Sequence, residues 1–338
     1  MVPVLIAGLI AMVAGVVLGP TFIEMLRARN LGQQIRAEGP AAHVVKQGTP
    51  TMGGLLIVGS AVIPFLVLSQ YTAEALTVLF VMLGCSAIGF TDDYLKLRRR
   101  HSLGLPGRWK MALLAAVTVV TAILLERTET FDTSFFVPLA GWDVDLGILF
   151  YPFLFVVIAG TVNGANLTDG IDGLAAGTAT IMLLTFLAIA GISWLRSGPP
   201  GERSEIYLDL ATLAAALIGA AIGFLWYNAF PAEVFMGDTG SMALGGAIAG
   251  FAVVTGTEIL LPVIAAIFVI EVLSLIIQVV SFKRTGRRVF LMAPIHHHFE
   301  MKAWSETKVM VRFWIVCAIF CASGFALFYR DFLRFVGG

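Results

Sequence analysis

The sequence predicts an all-α polytopic membrane protein of about ten transmembrane helices, and three features carry that prediction. Hydrophobic residues fill 58% of the 338 positions and charged residues only 13%, about half the charged share of an ordinary soluble domain. Apolar runs of about 20 residues, long enough to cross a hydrocarbon core, recur along the whole chain. Basic residues concentrate in alternate connections between those runs. The composition excludes a water-soluble globule, a secreted disulfide scaffold and a disordered chain. Lys plus Arg and Asp plus Glu each number 22, so there is no overall basic excess to hold nucleic acid.

The first run, near 3–25, lacks a basic leader and a small-residue cleavage site, and reads as a retained first span. The others lie near 51–70, 75–91, 110–125, 147–164, 174–194, 207–228, 240–256, 259–282 and 309–330. Gly and polar residues intrude on the runs at 147 and 240. Spanning helices tolerate internal Gly and Pro because neighbouring helices satisfy the freed backbone groups. Segment 126–146 alternates apolar and polar residues around Pro138 and Gly141, which predicts a short hairpin. Segment 197–201 is turn chemistry. Cys85, Cys317 and Cys321 fall inside apolar runs and read as small packing residues, not as a disulfide or metal site. The chain reads as one integral membrane domain, 1–338.

Ten spans put both ends of the chain on one side. One set of loops is 26–50, 92–109, 165–173, 229–239 and 283–308. With its flanking helix ends it holds Arg27, Arg29, Arg36, Lys46, Lys96, Arg98, Arg99, Arg100, Arg108, Lys110, Lys283, Arg284, Arg287, Arg288, Lys302, Lys308 and Arg312, or 17 of the 22 basic residues. The opposite side holds Arg127, Arg196, Arg203, Arg330 and Arg334. Basic residues stay on the cytoplasmic side, so the first set is predicted cytoplasmic and both termini external.

The acids and histidines then gather on the same predicted face. They sit in Thr91-Asp92-Asp93-Tyr94-Leu95-Lys96, in 163–173 (NGANLTDGIDG), in 235–241 (FMGDTGS) and in 294–300 (PIHHHFE). Adjacent carboxylates repel one another and recruit a cation. Mg²⁺ takes one or two carboxylates together with substrate phosphates, and glycine turns let backbone N–H groups approach phosphate oxygens. Acids, glycines and lysines on one face point to metal-assisted phosphoryl transfer. Each cluster also has an ordinary reading. Asp92-Asp93 could end a helix at the interface, and Asp169 and Asp172 could sit in the first turn of the next helix. The three arginines after Lys96 read as topogenic charge. Glu271, inside the ninth run, is equally a functional acid or an interhelical hydrogen bonder. Gln278, seven residues on, could line the pocket. Co-location is what favours the functional reading.

The stretch from Gly32 to Gly54 (GQQIR, GP, His43, Lys46, GTPTMGG), the Asp92–Lys96 run and the three later clusters occur in an order that resembles the phospho-N-acetylmuramoyl-pentapeptide transferase family over nearly the whole chain. The acidic motifs are shared with the wider superfamily of polyprenyl-phosphate sugar-1-phosphate transferases, whereas GTPTMGG and PIHHHFE favour the muramoyl-pentapeptide branch. The resemblance implies that undecaprenyl phosphate, held in the bilayer, attacks UDP-N-acetylmuramoyl-pentapeptide, giving lipid I and UMP for peptidoglycan synthesis at the bacterial plasma (inner) membrane. It implies a need for Mg²⁺, with Asp238 the metal ligand. Asp92 and Asp93 are similar to the essential acid pair, with Asp92 the candidate base, and Asp169 to the third acid. Thr51, Asn166 and Gly237 look like nucleotide or phosphate neighbours. Lys46, Gly170, Ile171, Asp172 and Phe235 are similar to uracil-site positions. Lys96 and Lys110 look like phosphate-neutralising residues, and His296, His297 and His298 border the sugar-peptide side. A homodimer is common in the family. The other readings are N-acetylglucosamine-1-phosphate transfer to the same lipid, or a transporter built on Glu271 and broken helices.

Overall fold

The computed structural model describes residues 1–29, 48–99, 103–128 and 131–336, with side chains through Leu333. Lys46, Arg36 and His43 lie outside them. Twelve helices are described: α1 (Val2–Ala28), α2 (Gly54–Leu68), α3 (Ala73–Arg99), α4 (Gly107–Leu125), α5 (Phe150–Thr168), α6 (Leu174–Arg196), α7 (Glu205–Asn228), α8 (Gly237–Val254), α9 (Leu261–Ile264), α10 (Ala266–Thr285), α11 (Ile295–Met301) and α12 (Glu306–Val336). Among the described residues nine are long and apolar enough to cross a membrane.

The second run is the exception. Its helix has 15 residues, about 22 Å at 1.5 Å per residue, short of the roughly 30 Å core. The ninth run, expected as one helix over 259–282, breaks at Ala265, where φ is −96° and ψ 31°. Pro262 sits in the first turn of α9, and α12 closes over the break. Cys321 Sγ donates to the Ile264 carbonyl at 3.3 Å, and Gly324 leaves room for the Ile264 side chain. A helix break inside a membrane is tolerated when a neighbour satisfies the freed carbonyl. All three cysteines are buried and free. The expected hairpin is present, with strands β1 (Ser134–Val137) and β2 (Trp142–Asp145) antiparallel and Phe135 opposite Val144.

Helices α6, α7 and α8 form the inside of the bundle, with 72%, 83% and 83% of their apolar windows buried. Helices α1, α4, α10 and α12 lie at its edge with 28% or less buried. Their outward Leu, Ile, Val and Phe side chains face where lipid would be. Small residues set the inner spacing: a Cβ at Gly219 of α7 would collide with the Gly8 carbonyl of α1, the close approach that glycine permits between membrane helices.

One buried acid has a purely architectural role. Asp209, 1% exposed on α7, accepts from the Gln70 and Thr72 amides at 2.8 and 3.0 Å and from the Ser69 hydroxyl at 2.9 Å. It therefore ties down the α2–α3 connection from a different helix, satisfying the Gln70 amide in the turn and the Thr72 amide just before α3. Asp209→Ala should lower stability by about 1–3 kcal/mol, since the buried Ser69 hydroxyl and the part-buried Gln70 and Thr72 donors lose a charged acceptor together. Thermal unfolding in detergent measures it, and an unchanged midpoint would refute this role.

Candidate active site

The sequence places the acidic clusters in loops, but the structure puts most of them on helix ends. Helix α3 runs past its apolar stretch to Arg99 and so carries Asp92, Asp93 and Lys96. Asn163 and Asn166 end α5, Gly237 and Asp238 begin α8, and the three histidines lie on α11. Helix geometry therefore decides where each side chain points. Asp92 and Asp93 are successive residues, about 100° apart around α3, and they meet different partners.

Backbone pairing assembles the first wall. Gly53 N–H donates to Phe235 O and Gly54 N–H to Met236 O, both at 2.9 Å, while Phe235 N–H donates to Pro50 O at 2.8 Å. This ladder seats Thr51 beside Gly237. The φ of Gly237 is +73°, a conformation costly for residues with a Cβ. A Cβ there would also lie 2.7 Å from Asp93 Oδ2 and 2.9 Å from Thr51 Oγ1. Two further glycines permit the crossings: a Cβ at Gly89 would strike the Asp238 carbonyl, and one at Gly54 would strike Gly240.

Asp93, 3% exposed, points at the start of α8. It accepts from Asp238 N–H at 3.1 Å, Thr239 N–H at 2.9 Å and Thr239 Oγ1 at 2.7 Å. An acid at a helix N-terminus is favoured by the open amides and by the helix dipole. Asp93 thus fixes where Asp238 begins its helix.

Asp92, 1% exposed, faces α4. Its Oδ1 accepts from Leu105 N–H at 2.6 Å and lies 3.2 Å from Lys110 Nζ. Its Oδ2 is ion-paired with Lys96, 2.6 Å from Nζ. Both lysines also reach Asp238, Lys96 at 3.1 Å and Lys110 at 2.6 Å. Ligand oxygens of Asp92, Asp93 and Asp238 lie within 4.8 Å of one another. Hard carboxylate oxygens in this number fit a divalent cation such as Mg²⁺. The three carboxylates together could hold it.

Asp169 closes the other side. Burial comes first, then the Asp238, Asp93 and Asp172 carboxylates; together they hold its carboxyl well above the usual range, and a hydrogen bond from Gly237 N–H opposes them. Asn166 Nδ2 donates to Ser241 Oγ at 3.0 Å, and that hydroxyl donates to Gly237 O at 3.0 Å. Ile171 and Asp172 are 4% exposed, and Asp172 accepts from Ala232 N–H at 3.0 Å, so both brace the loop. Phe235 is half-buried beside it.

The last cluster is more dispersed. Gln278 Oε1 accepts from Val289 and Phe290 amides at 3.0 Å, and its Nε2 donates to Phe290 O at 3.0 Å. Its amide holds the turn after α10. His296 is buried against Glu271, His297 Nδ1 lies 2.5 Å from Glu300 Oε2, and His298 Nδ1 accepts from Leu291 N–H at 3.1 Å. Thr239, Ser241 and Leu105 were not singled out in the sequence; they act through a hydroxyl or a backbone amide, and nothing in residue type marks them.

Comparisons with known proteins bear on this arrangement. Residues 75–256 match the model of glycosyl transferase family 4, and residues 46–58 match phospho-N-acetylmuramoyl-pentapeptide-transferase signature 1. The chain is 45% identical to a phospho-N-acetylmuramoyl-pentapeptide-transferase of Rubrobacter xylanophilus, covering 97% of this chain and 98% of the relative. It is 44% identical to those of Frankia casuarinae, with 99% of each covered, and Shouchella clausii, with 94% of each.

Proposed function

The chain belongs to the phospho-N-acetylmuramoyl-pentapeptide transferase family, and from that premise we propose that it makes lipid I for peptidoglycan. Phospho-N-acetylmuramoyl-pentapeptide passes from its UDP carrier to undecaprenyl phosphate, and UMP leaves. The single observation that carries this reading onto particular residues is the meeting of Asp92, Asp93 and Asp238 with Lys96 and Lys110, beside the Asp169 loop.

The lipid phosphate oxygen forms a bond to the sugar-bearing phosphorus as the bond to the UMP oxygen breaks. A phosphate monoester has its second pKa near 6, so the lipid phosphate is already largely a dianion at neutral pH. Asp92 is therefore not needed as a strong base; with its Oδ1 and Oδ2 facing Lys110 and Lys96, it aims the two ammonium groups. Lys96 and Lys110 present positive charge to the phosphates of donor and acceptor. Asp238 faces both lysines, which weakens it as a nucleophile and favours direct attack over a covalent intermediate. Mg²⁺, when bound, screens the diphosphate from the carboxylates and stabilises the leaving phosphate. One diphosphate bond replaces another, so the reaction is close to reversible.

The basic-residue asymmetry supports a multi-pass protein of the bacterial plasma membrane with this site at the cytoplasmic face and, with the short α2 counted as a tenth crossing beside the nine long helices, both termini outside. Radiolabel transfer from UDP-N-acetylmuramoyl-pentapeptide into lipid extract tests the reading. Label should enter the lipid with stoichiometric UMP release, and chelation of Mg²⁺ should abolish both. Turnover of UDP-N-acetylglucosamine alone would overturn the substrate assignment. Transport of substrate into proteoliposomes without UMP release would overturn the enzyme assignment.

A further inference from the structure

Glu271 is an acid within α10 that the reaction above does not use. It is fully buried, as is His296 at the start of α11, and Oε1 of Glu271 lies 3.0 Å from Nδ1 of His296. An acid inside a membrane helix needs a partner or a function. When the carboxylate accepts a hydrogen bond from Nδ1–H of the neutral ring, Nε2 is its lone-pair nitrogen. That Nε2 is buried without a hydrogen-bond partner. It presses on Gly170: a Cβ at that position would overlap the imidazole. Gly170 directly follows Asp169, the residue that ends α5. A continuous line of contact thus runs from Glu271 through the His296 ring and Gly170 to Asp169. His297 and His298 turn to Glu300 and Leu291 instead, so neither can replace His296.

We propose that Glu271 is a positioning residue for this reaction, holding His296 in one tautomer and orientation as a wedge that sets the 169–173 loop, and with it Asp169, against the start of α8. The proposal rests on the transferase reading for its kinetic readout alone. Glu271 is sealed from substrate and acts only through the imidazole, as an outer partner that orients a functional group does.

The test uses the full chain in lipid nanodiscs. Glu271→Leu removes the acceptor, and kcat should fall about 100-fold, the cost of misplacing a reacting group by roughly 1 Å. Glu271→Gln keeps an oxygen for Nδ1–H and should recover most of that loss. Gly170→Ala enters the same contact from the loop side and should lower kcat comparably. The double variant Glu271→Leu with Gly170→Ala should be no worse than the poorer single one, because the two act on one contact. Parental kcat in Glu271→Leu, failure of Gln to improve on Leu, or losses that multiply in the double variant would overturn the proposal. A second measurement needs no Glu271 variant to fold: ¹⁵N spectra of histidine-labelled protein, assigned by His296→Gln. Nδ1 should carry the proton and Nε2 should be bare; the reverse tautomer would overturn the proposal too. A parent protein that moved no label would refute the transferase reading, while the tautomer would still report on Glu271.

Discussion

Asp238→Ala is expected to abolish turnover, by roughly 10³-fold or more, while the protein stays folded. Asp238, like Asp92, is reached by the lysines of both neighbouring helices, and at the start of α8 it belongs to the cluster that could hold a metal. Without it a divalent ion loses the ligand that would place it against the diphosphate. The fold should survive on charge grounds. Asp92, Asp93 and Asp238 together with Lys96 and Lys110 carry one net negative charge, and removing Asp238 leaves them neutral, with both ammonium groups still beside Asp92. No ion is stranded, which is the usual reason that breaking a buried pair unfolds a protein. Turnover and the thermal midpoint, measured on the same preparation, check this. Substantial activity with Mg²⁺ present would remove Asp238 from the metal role.

Asp93→Asn is expected to damage both quantities. One oxygen becomes an amide group, while Asp93 Oδ1 faces Asp238 N–H and Oδ2 faces the Thr239 amide and hydroxyl. In either orientation of the Asn side chain, an NH₂ meets at least one N–H donor and leaves it unsatisfied. Such a buried donor costs about 1–3 kcal/mol. The start of α8 must shift to relieve it, carrying Asp238 with it, and a displacement near 1 Å is enough for a roughly 100-fold loss of rate. The two variants therefore separate by the ratio of their effects: Asp238→Ala loses rate with little stability, Asp93→Asn loses both. A near-normal rate in Asp93→Asn would mean that the cap does not govern Asp238. A lost rate with an unchanged midpoint would assign Asp93 a direct part in the chemistry instead.

The family, the membrane class and the convergence of Asp92, Asp93, Asp169 and Asp238 were all legible in the residues. Length of apolar run is a local property, and the order of the motifs is read directly along the chain. The division of labour within the clusters was not legible. The sequence offers Gln278 as a pocket residue, and only the structure shows that its amide also holds the backbone at 289–290. Glu271 was balanced between function and packing until its partner was seen to be His296, 25 positions away. Asp209 looks like any acid near a helix start, and its four donors lie about 140 positions earlier.

By itself the sequence determined where the chain can cross a bilayer and which chemical groups it brings, because hydrocarbon selects apolar length residue by residue and motif order needs no folding to be read. Only the tertiary structure decided what each acid contacts. Asp92 and Asp93 are chemically identical neighbours, and a 100° turn of the helix sends one to two lysines and the other to the open amides of α8. A hydrogen bond is directional and short, so a role made of hydrogen bonds exists only once distant helices are packed.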